Sequence, residues 1–259
     1  MRSNILVTAL AIALLGAGGA RAAEEAAPEP VVEPEAIALL ARATDRLAAA
    51  ERFSIRIRAL FDVVQDSGQK LQFGTWDEVT VRRPDRAAAT FRRDDGRVRR
   101  IHYDGAQIAM YDERENVYGQ FAAPATLDEL LDFLELDVGA PMPLADLLYS
   151  DLSHLGEAAT EGAVVGLSRV DEWECDHLAF RGEAVDFQIW IQRGNEPVLR
   201  KVVITYKELP GAPQFLAVFL EWDFSPKTPD ELFTFTPPEG ADRISTLARP
   251  GQPRIGGAR

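Results

Sequence analysis

Phe53-Ser-Ile-Arg-Ile-Arg-Ala-Leu-Phe-Asp-Val63 decides what kind of fold this chain makes. Phe53, Ile55, Ile57, Ala59, Phe61 and Val63 alternate with Ser54, Arg56, Arg58, Leu60 and Asp62, a period of two that splits them between the faces of an extended strand. Gln65-Asp-Ser-Gly68 supplies a turn. Leu71, Phe73, Thr75, Asp77, Val79 and Val81 then form the returning arm, so the pair predicts a long hairpin.

The same reading continues downstream. Arg83-Pro-Asp85 breaks the ladder, and Ala87, Ala89 and Phe91 start a third strand. Asp94-Asp-Gly96 turns into Val98–Tyr103, Asp104-Gly105 into Ile108–Tyr111, and a polar loop into Val117–Phe121. Thr126 then reads as an N-cap with Glu129 as its capping-box partner. Leu127, Leu130, Leu131, Phe133 and Leu134 make a strongly apolar helix. Gly139–Pro143 breaks it, and Leu144, Leu147, Leu148 and Leu152 begin a short second one. So many leucines predict a cover over an apolar sheet face.

Strands resume at Val164–Val170, Cys175–Phe180, Phe187–Gln192, Leu199–Tyr206 and Phe215–Phe224, separated by acidic or glycine turns. The stretch Pro229–Gly240 reads as a closing edge strand, with Phe233 and Phe235 on one face and Pro237-Pro238 as a stop. Trp76, Trp190 and Trp222 fall on the opposite parity to the main apolar set, which puts them on the second face.

Upstream of Phe53, Ile37, Leu40, Ala41, Thr44, Leu47 and Ala48 recur at helical spacing, predicting an amphipathic helix. Glu24–Glu35, acidic and rich in proline, reads as a disordered leader. Arg2, the apolar run Ile5–Leu15 and Ala20-Arg-Ala22 read as a cleavable secretory signal, and the chain has no cysteine near the cut to carry a lipid. The expected organisation is a signal at 1–23, a leader at 24–35, one domain over 36–245 and a flexible tail at 246–259. The product is expected to be a soluble periplasmic protein without a lipid anchor.

The formal charge of −13 argues against nucleic acid or anionic lipid headgroups as general partners. One cysteine, Cys175, excludes an internal disulfide. Cys175 and His177 share a strand face. Side chains two apart on a strand stand parallel, and no third orienting group lies close in sequence, so a structural pair is favoured over a nucleophile and base. No spacing suits a metal, and no glycine-rich loop leads into a helix to hold a phosphate. No catalytic residue, metal or cofactor is expected.

Four stretches carry a resemblance: Val81-Arg-Arg-Pro-Asp85, Tyr103-Asp-Gly-Ala-Gln-Ile-Ala-Met-Tyr111, Cys175-Asp-His-Leu-Ala-Phe180 and Leu232-Phe-Thr-Phe-Thr-Pro-Pro-Glu-Gly240. In this order they resemble the periplasmic lipoprotein carriers of the LolA/LolB type and, more closely, the predicted periplasmic proteins of the DUF2092 family. The resemblance implies a half-open barrel of about eleven strands around a hydrophobic cavity, capped by helices. It also implies a role for Arg83. In the carriers, the arginine of a Lys-Arg-Pro motif hydrogen-bonds the lid backbone and holds the empty cavity shut. Arg82 stands where the carriers have lysine, and their aromatic-rich cavity is only partly kept.

The fold expected is therefore mainly β (α+β), a curved antiparallel half-barrel of about eleven strands with lid helices. Its expected ligand-binding residues are Phe53, Ile55, Ile57, Phe61, Leu71, Phe73, Phe91, Leu130, Leu134, Phe187, Ile189, Phe219, Phe233 and Phe235, with Arg83 as lid latch. The function expected is carriage of acyl chains of lipoproteins or lipids by a monomer, with a membrane-associated donor or acceptor protein as further partner. The alternative is an envelope sensor or scaffold that binds a protein partner with the same fold. Periodicity alone does not separate core residues from ligand contacts.

Overall fold

The computed structural model describes residues 31–136, 142–153, 155 and 159–245. The signal, most of the leader, the Gly139–Pro141 part of the helix break, His154 and the tail lie outside these residues. α1 (Pro34–Ala48) leads into β1 (Arg52–Val64), β2 (Lys70–Arg82), β3 (Arg86–Arg93), β4 (Val98–Tyr103), β5 (Gln107–Asp112) and β6 (Val117–Ala122). α2 (Leu127–Leu136) and a 3-10 turn (Ala145–Leu148) interrupt the strands. β7 (Ala159–Val170), β8 (Trp173–Gly182), β9 (Val185–Gln192), β10 (Leu199–Tyr206), β11 (Gln214–Asp223) and the two-residue β12 (Asp242–Arg243) complete the elements of the described residues.

All twelve strands form one open, curved sheet in the order β12-β6-β5-β4-β3-β2-β1-β11-β10-β9-β8-β7. Each half of the chain is a meander, and β11 returns to pair antiparallel with β1, welding the two halves. The alternation of β1 becomes a burial pattern. Phe53, Ile55, Ile57 and Ala59 are buried on the inner face, and Arg56 and Arg58 are exposed on the outer. In-register partners share a face, so Val81, Val79, Asp77, Thr75 and Phe73 of β2 also lie on the inner face. α1 and α2 cover it with Leu40, Leu47, Leu127, Leu130, Leu131 and Leu134, joined by Leu147 of the 3-10 turn and by Leu152 in one contiguous core. At about 25 cal/mol per Å² of apolar area, this inner face is the main source of stability.

Three sequence readings are corrected. The first concerns the leader, because residues 31–35 are ordered. Val32 pairs in parallel with Gly162 on the edge of β7, and α1 already begins at Pro34. Proline suits the first helical turn because its missing N–H has no intrahelical acceptor there.

The second concerns the closing strand. Asp230–Leu232 is a 3-10 turn, and no strand forms at Phe233–Phe235. The segment after β11 instead crosses the outer face as a strap and ends as β12, parallel to β6. Arg82 of β2 holds the carbonyl of Thr228, and His102 of β4 holds that of Leu232.

The third concerns Trp222. A β-bulge at Arg56/Ile57 sets Glu221 opposite Arg56 but Phe219 opposite Ile57. The skipped residue reverses the phase, so Trp222 lies on the inner face against Phe53 and Phe219 and donates Nε1–H to the Leu199 carbonyl at 2.8 Å. Trp76 and Trp190 do lie on the outer face. Trp76 is half exposed beneath Arg58, and Trp190 belongs to a small outer cluster with Val170, Cys175 and Val203.

Candidate functional site

The rim of the inner face is organised by the turn after β2. Its Pro84 carbonyl accepts the first helical N–H of α2, from Leu127, at 2.7 Å. The capping box is present in full: Thr126 N–H donates to Glu129 Oε2 and Glu129 N–H to Thr126 Oγ1. These two contacts fix where α2 starts relative to the sheet. Two acids one turn apart on α2 then position the chain beyond it. Asp128 accepts from Ser150 N–H at 3.0 Å and from its hydroxyl, and Asp132 accepts from the Tyr149 hydroxyl at 2.8 Å.

The Leu148 and Tyr149 carbonyls thereby face Arg83. Its Nη1 donates to Leu148 O and its Nη2 to Tyr149 O, both at 2.7 Å. The guanidinium lies 5.7 Å over the ring of Phe53, so it spans the rim of the core. Burial lowers its pKa, and the nearby Asp128 carboxylate opposes that shift. Arg83 is thus a cross-link between sheet and cover, at the position the resemblance marks.

Beneath the cover the inner face has two halves. Toward Arg83 it is packed shut: Phe53, Ile55, Ile57, Ile189, Phe219, Leu130 and Leu134 are all buried among core side chains. At the opposite strand ends a register row runs Phe180, Phe187, Ile204, Phe215, Phe61, Phe73 across β8, β9, β10, β11, β1 and β2. Phe180 is buried, whereas the other five are only partly covered. Phe180 stacks on Phe187 at 4.9 Å and Phe61 on Phe73 at 5.9 Å, with the Arg93 guanidinium over both of the latter rings. Leu71, near the tip of the hairpin, is 37% exposed. Phe61, Leu71, Phe73, Phe91 and Phe187 are therefore the expected ligand residues on this face that remain at least partly accessible.

Phe91 faces inward opposite Asp77. Asp77 is a buried carboxyl between Ile57 and Phe91 in register, and burial pushes its pKa up to about 6 against a hydrogen bond from Thr75 at 3.0 Å. Its Oδ1 has no hydrogen-bond partner among the described residues. The signal in the sequence was the polar residue at an inner-parity position of β2.

Phe233 and Phe235 do not belong to this face, which corrects their assignment as ligand residues. Phe233 is buried under the Arg82 guanidinium, 5.0 Å from its ring. Phe235 packs on the outer face against His102, Tyr111 and Tyr118. Proline at 229 and the 3-10 turn redirect the chain, so spacing of two no longer means one strand face.

Cys175 and His177 share the outer face without meeting as acid and base. The Cys175 thiol is buried, with Sγ–H toward the Trp173 carbonyl at 3.6 Å, and burial raises its pKa. His177 stacks on Trp190 at 4.0 Å and bonds Gln188.

A family model described as predicted periplasmic protein (DUF2092) matches residues 36–247. The chain belongs to the DUF2092 family. Among solved structures, this DUF2092 chain is similar to LprF from Mycobacterium bovis at 14% identity, with 77% of this chain and 97% of that chain covered and a TM-score of 0.48. It is similar to the Mycobacterium tuberculosis lipoprotein LppX at 13% identity, covering 76% and 98%, with a TM-score of 0.46. A LolA superfamily protein from Nitrosomonas europaea matches at 10% identity, covering 77% and 97%, with a TM-score of 0.36. No curated protein matches the chain. Among the described residues, no helix is long and apolar enough to cross a membrane.

Proposed function

We propose that this DUF2092 protein is a periplasmic carrier for the acyl chains of lipoproteins or lipids, exported by its signal sequence and released without a lipid anchor. The observation that carries this reading is Arg83, tied by two charge-assisted hydrogen bonds to backbone carbonyls of the cover. A leucine-rich cover whose 3-10 turn is cross-linked by Arg83 to a sheet face of Phe53, Ile55 and Ile57 is a lid with a release point. The partly exposed row Phe187, Ile204, Phe215, Phe61, Phe73 is where an acyl chain enters. Each methylene buried there contributes about 0.8 kcal/mol, and displacement of α2 and the 3-10 turn extends the groove toward Phe53. Differential affinity of closed and open states for the chain then sets hand-over to an acceptor.

The mechanism is binding without catalysis. A thiol nucleophile needs a lowered pKa and a neighbouring base, whereas burial raises the pKa of Cys175 and His177 is engaged with Gln188 and Trp190. A protein-binding scaffold is the second reading, favoured by the packing of Leu127, Leu130 and Leu134 onto the inner face in place of a cargo. A delipidated sample titrated with a fluorescent fatty acyl probe separates the two. Micromolar or tighter binding, blocked by Phe61→Asp, supports the carrier. A folded sample that binds no probe removes it.

A further inference from the structure

At the rim where β2 ends and β1 begins, on the side of Arg83 away from the aromatic row, lies a cleft of about 750 Å³. Arg52, Arg82, Arg83 and Lys227 line it, with Glu51 the one carboxylate and Thr228–Pro229 of the strap forming a wall. In a chain of net charge −13, four cations around one cleft oppose the overall balance. The strand register sharpens this. Arg52 stands directly opposite Arg82, and Arg82 opposite Arg86. Like charges facing each other across a ladder are destabilising.

The strap offsets part of that repulsion. Arg82 is held by the Thr228 carbonyl at 2.7 Å and by the Asp230 carboxylate, whose pKa it lowers, and Arg86 pairs with Asp85. Arg52 and Lys227 are exposed and make no ion pair among the described residues. Arg83 adds the third observation. Its two terminal nitrogens serve the lid, while its Nε is buried without a hydrogen-bond partner among the described residues. A guanidinium edge made of Nε and Nη2 is the edge that grips a carboxylate or phosphate through two parallel bonds.

We propose that this cleft binds the phosphate or carboxylate headgroup of an anionic amphiphile, and that the anion takes the Nε–Nη2 edge of Arg83 from the Tyr149 carbonyl. Headgroup recognition is thereby coupled to release of the lid. The amphiphile rests on the carrier reading. The anion site rests only on the cleft.

The test uses the mature full chain, free of lipid, and its Arg52→Glu/Lys227→Glu and Arg52→Gln/Lys227→Gln variants, both changed at exposed positions. Dodecyl phosphate below its micelle concentration, dodecanol and inorganic phosphate are titrated in turn. The wild type is expected to bind dodecyl phosphate about tenfold or more tightly than dodecanol, a difference that the charge reversal removes and the neutral pair reduces. Dodecanol affinity and the thermal melt stay as in wild type. Inorganic phosphate bound with the same sensitivity assigns the site to a free anion as well. Phosphate that fails to bind while dodecyl phosphate succeeds assigns it to a headgroup. Equal affinity of wild type and charge-reversed variant for both anions overturns the site.

Hydrogen exchange across residues 142–153 reads the lid. Faster exchange with bound anion than with dodecanol supports the coupling, and equal exchange overturns it. If dodecanol does not bind and phosphate binds in a variant-sensitive way, the carrier reading fails and the anion site stands.

Discussion

The Arg83 guanidinium donates to the Leu148 carbonyl at 2.7 Å across 65 residues of chain, joining the end of β2 to the 3-10 turn of the cover. A second bond to Tyr149 O completes the tie. Arg83→Leu removes both donors and the guanidinium over Phe53 while keeping an aliphatic stem. It is expected to unfold at a stability within about 1–3 kcal/mol of wild type and to release a bound acyl probe about tenfold faster, a change of about 1.4 kcal/mol. Circular dichroism and stopped-flow displacement check the two together. Unchanged release from a folded variant removes the latch.

Asp77 gives a stability effect with a defined sign in pH. Its folded pKa, about 6, lies above the ordinary 3.8 because burial disfavours the carboxylate. The folded state therefore holds the proton more tightly. Stability from this group is fully present below pH 3.8 and is lost as pH rises through 6. Asp77→Asn keeps an acceptor for the Thr75 hydroxyl and removes the charge. It is expected to stabilise the protein at pH 7 by at most about 3 kcal/mol. The gain should vanish near pH 4 in urea melts.

His102 has the opposite sign. Burial lowers its pKa below 6.5, the Leu232 carbonyl opposes that shift, and Arg100 adds to it. Its contribution is present above pH 6.5 and is lost as pH falls through the folded value. The strap it holds should lose amide protection in acid around Leu232 and Phe233, read as protection factors corrected for the intrinsic pH dependence of exchange. His102→Gln, which still offers a donor to Leu232 O, should flatten that dependence.

Gly162 tests the N-terminal edge contact. A Cβ there would lie 2.5 and 2.8 Å from two ring carbons of Phe180, itself stacked on Phe187, and 3.1 Å from Val32 Cγ1. Gly162→Ala is expected to cost about 1–3 kcal/mol and to free residues 31–33 from β7. Denaturant melts and proteolysis near Glu33 check this.

The alternation Phe53–Val63 and its return Leu71–Val81 determined strand, hairpin and inner face together, because a period of two has one geometric meaning while the ladder runs in register. Thr126 and Glu129 likewise determined where α2 begins, since a capping box needs only four consecutive residues. Arg83 was legible only through its resemblance to a known motif, since nothing local says which carbonyls it meets.

Tertiary structure decided the rest. Whether Phe53 or Phe61 is accessible depends on which half of the sheet the cover reaches, and both have the same parity. Trp222 changed face through a bulge that forms only when β11 pairs with β1. Phe233 and Phe235 kept the spacing of a strand but found no free edge beside β11, where β1 and β10 already pair, so the chain crossed the outer face to β6. The cationic cleft joins residues 51–52, 82–83 and 227–229. Spacing cannot bring together Lys227 and Arg83, 144 residues apart; the crossing of the strap does.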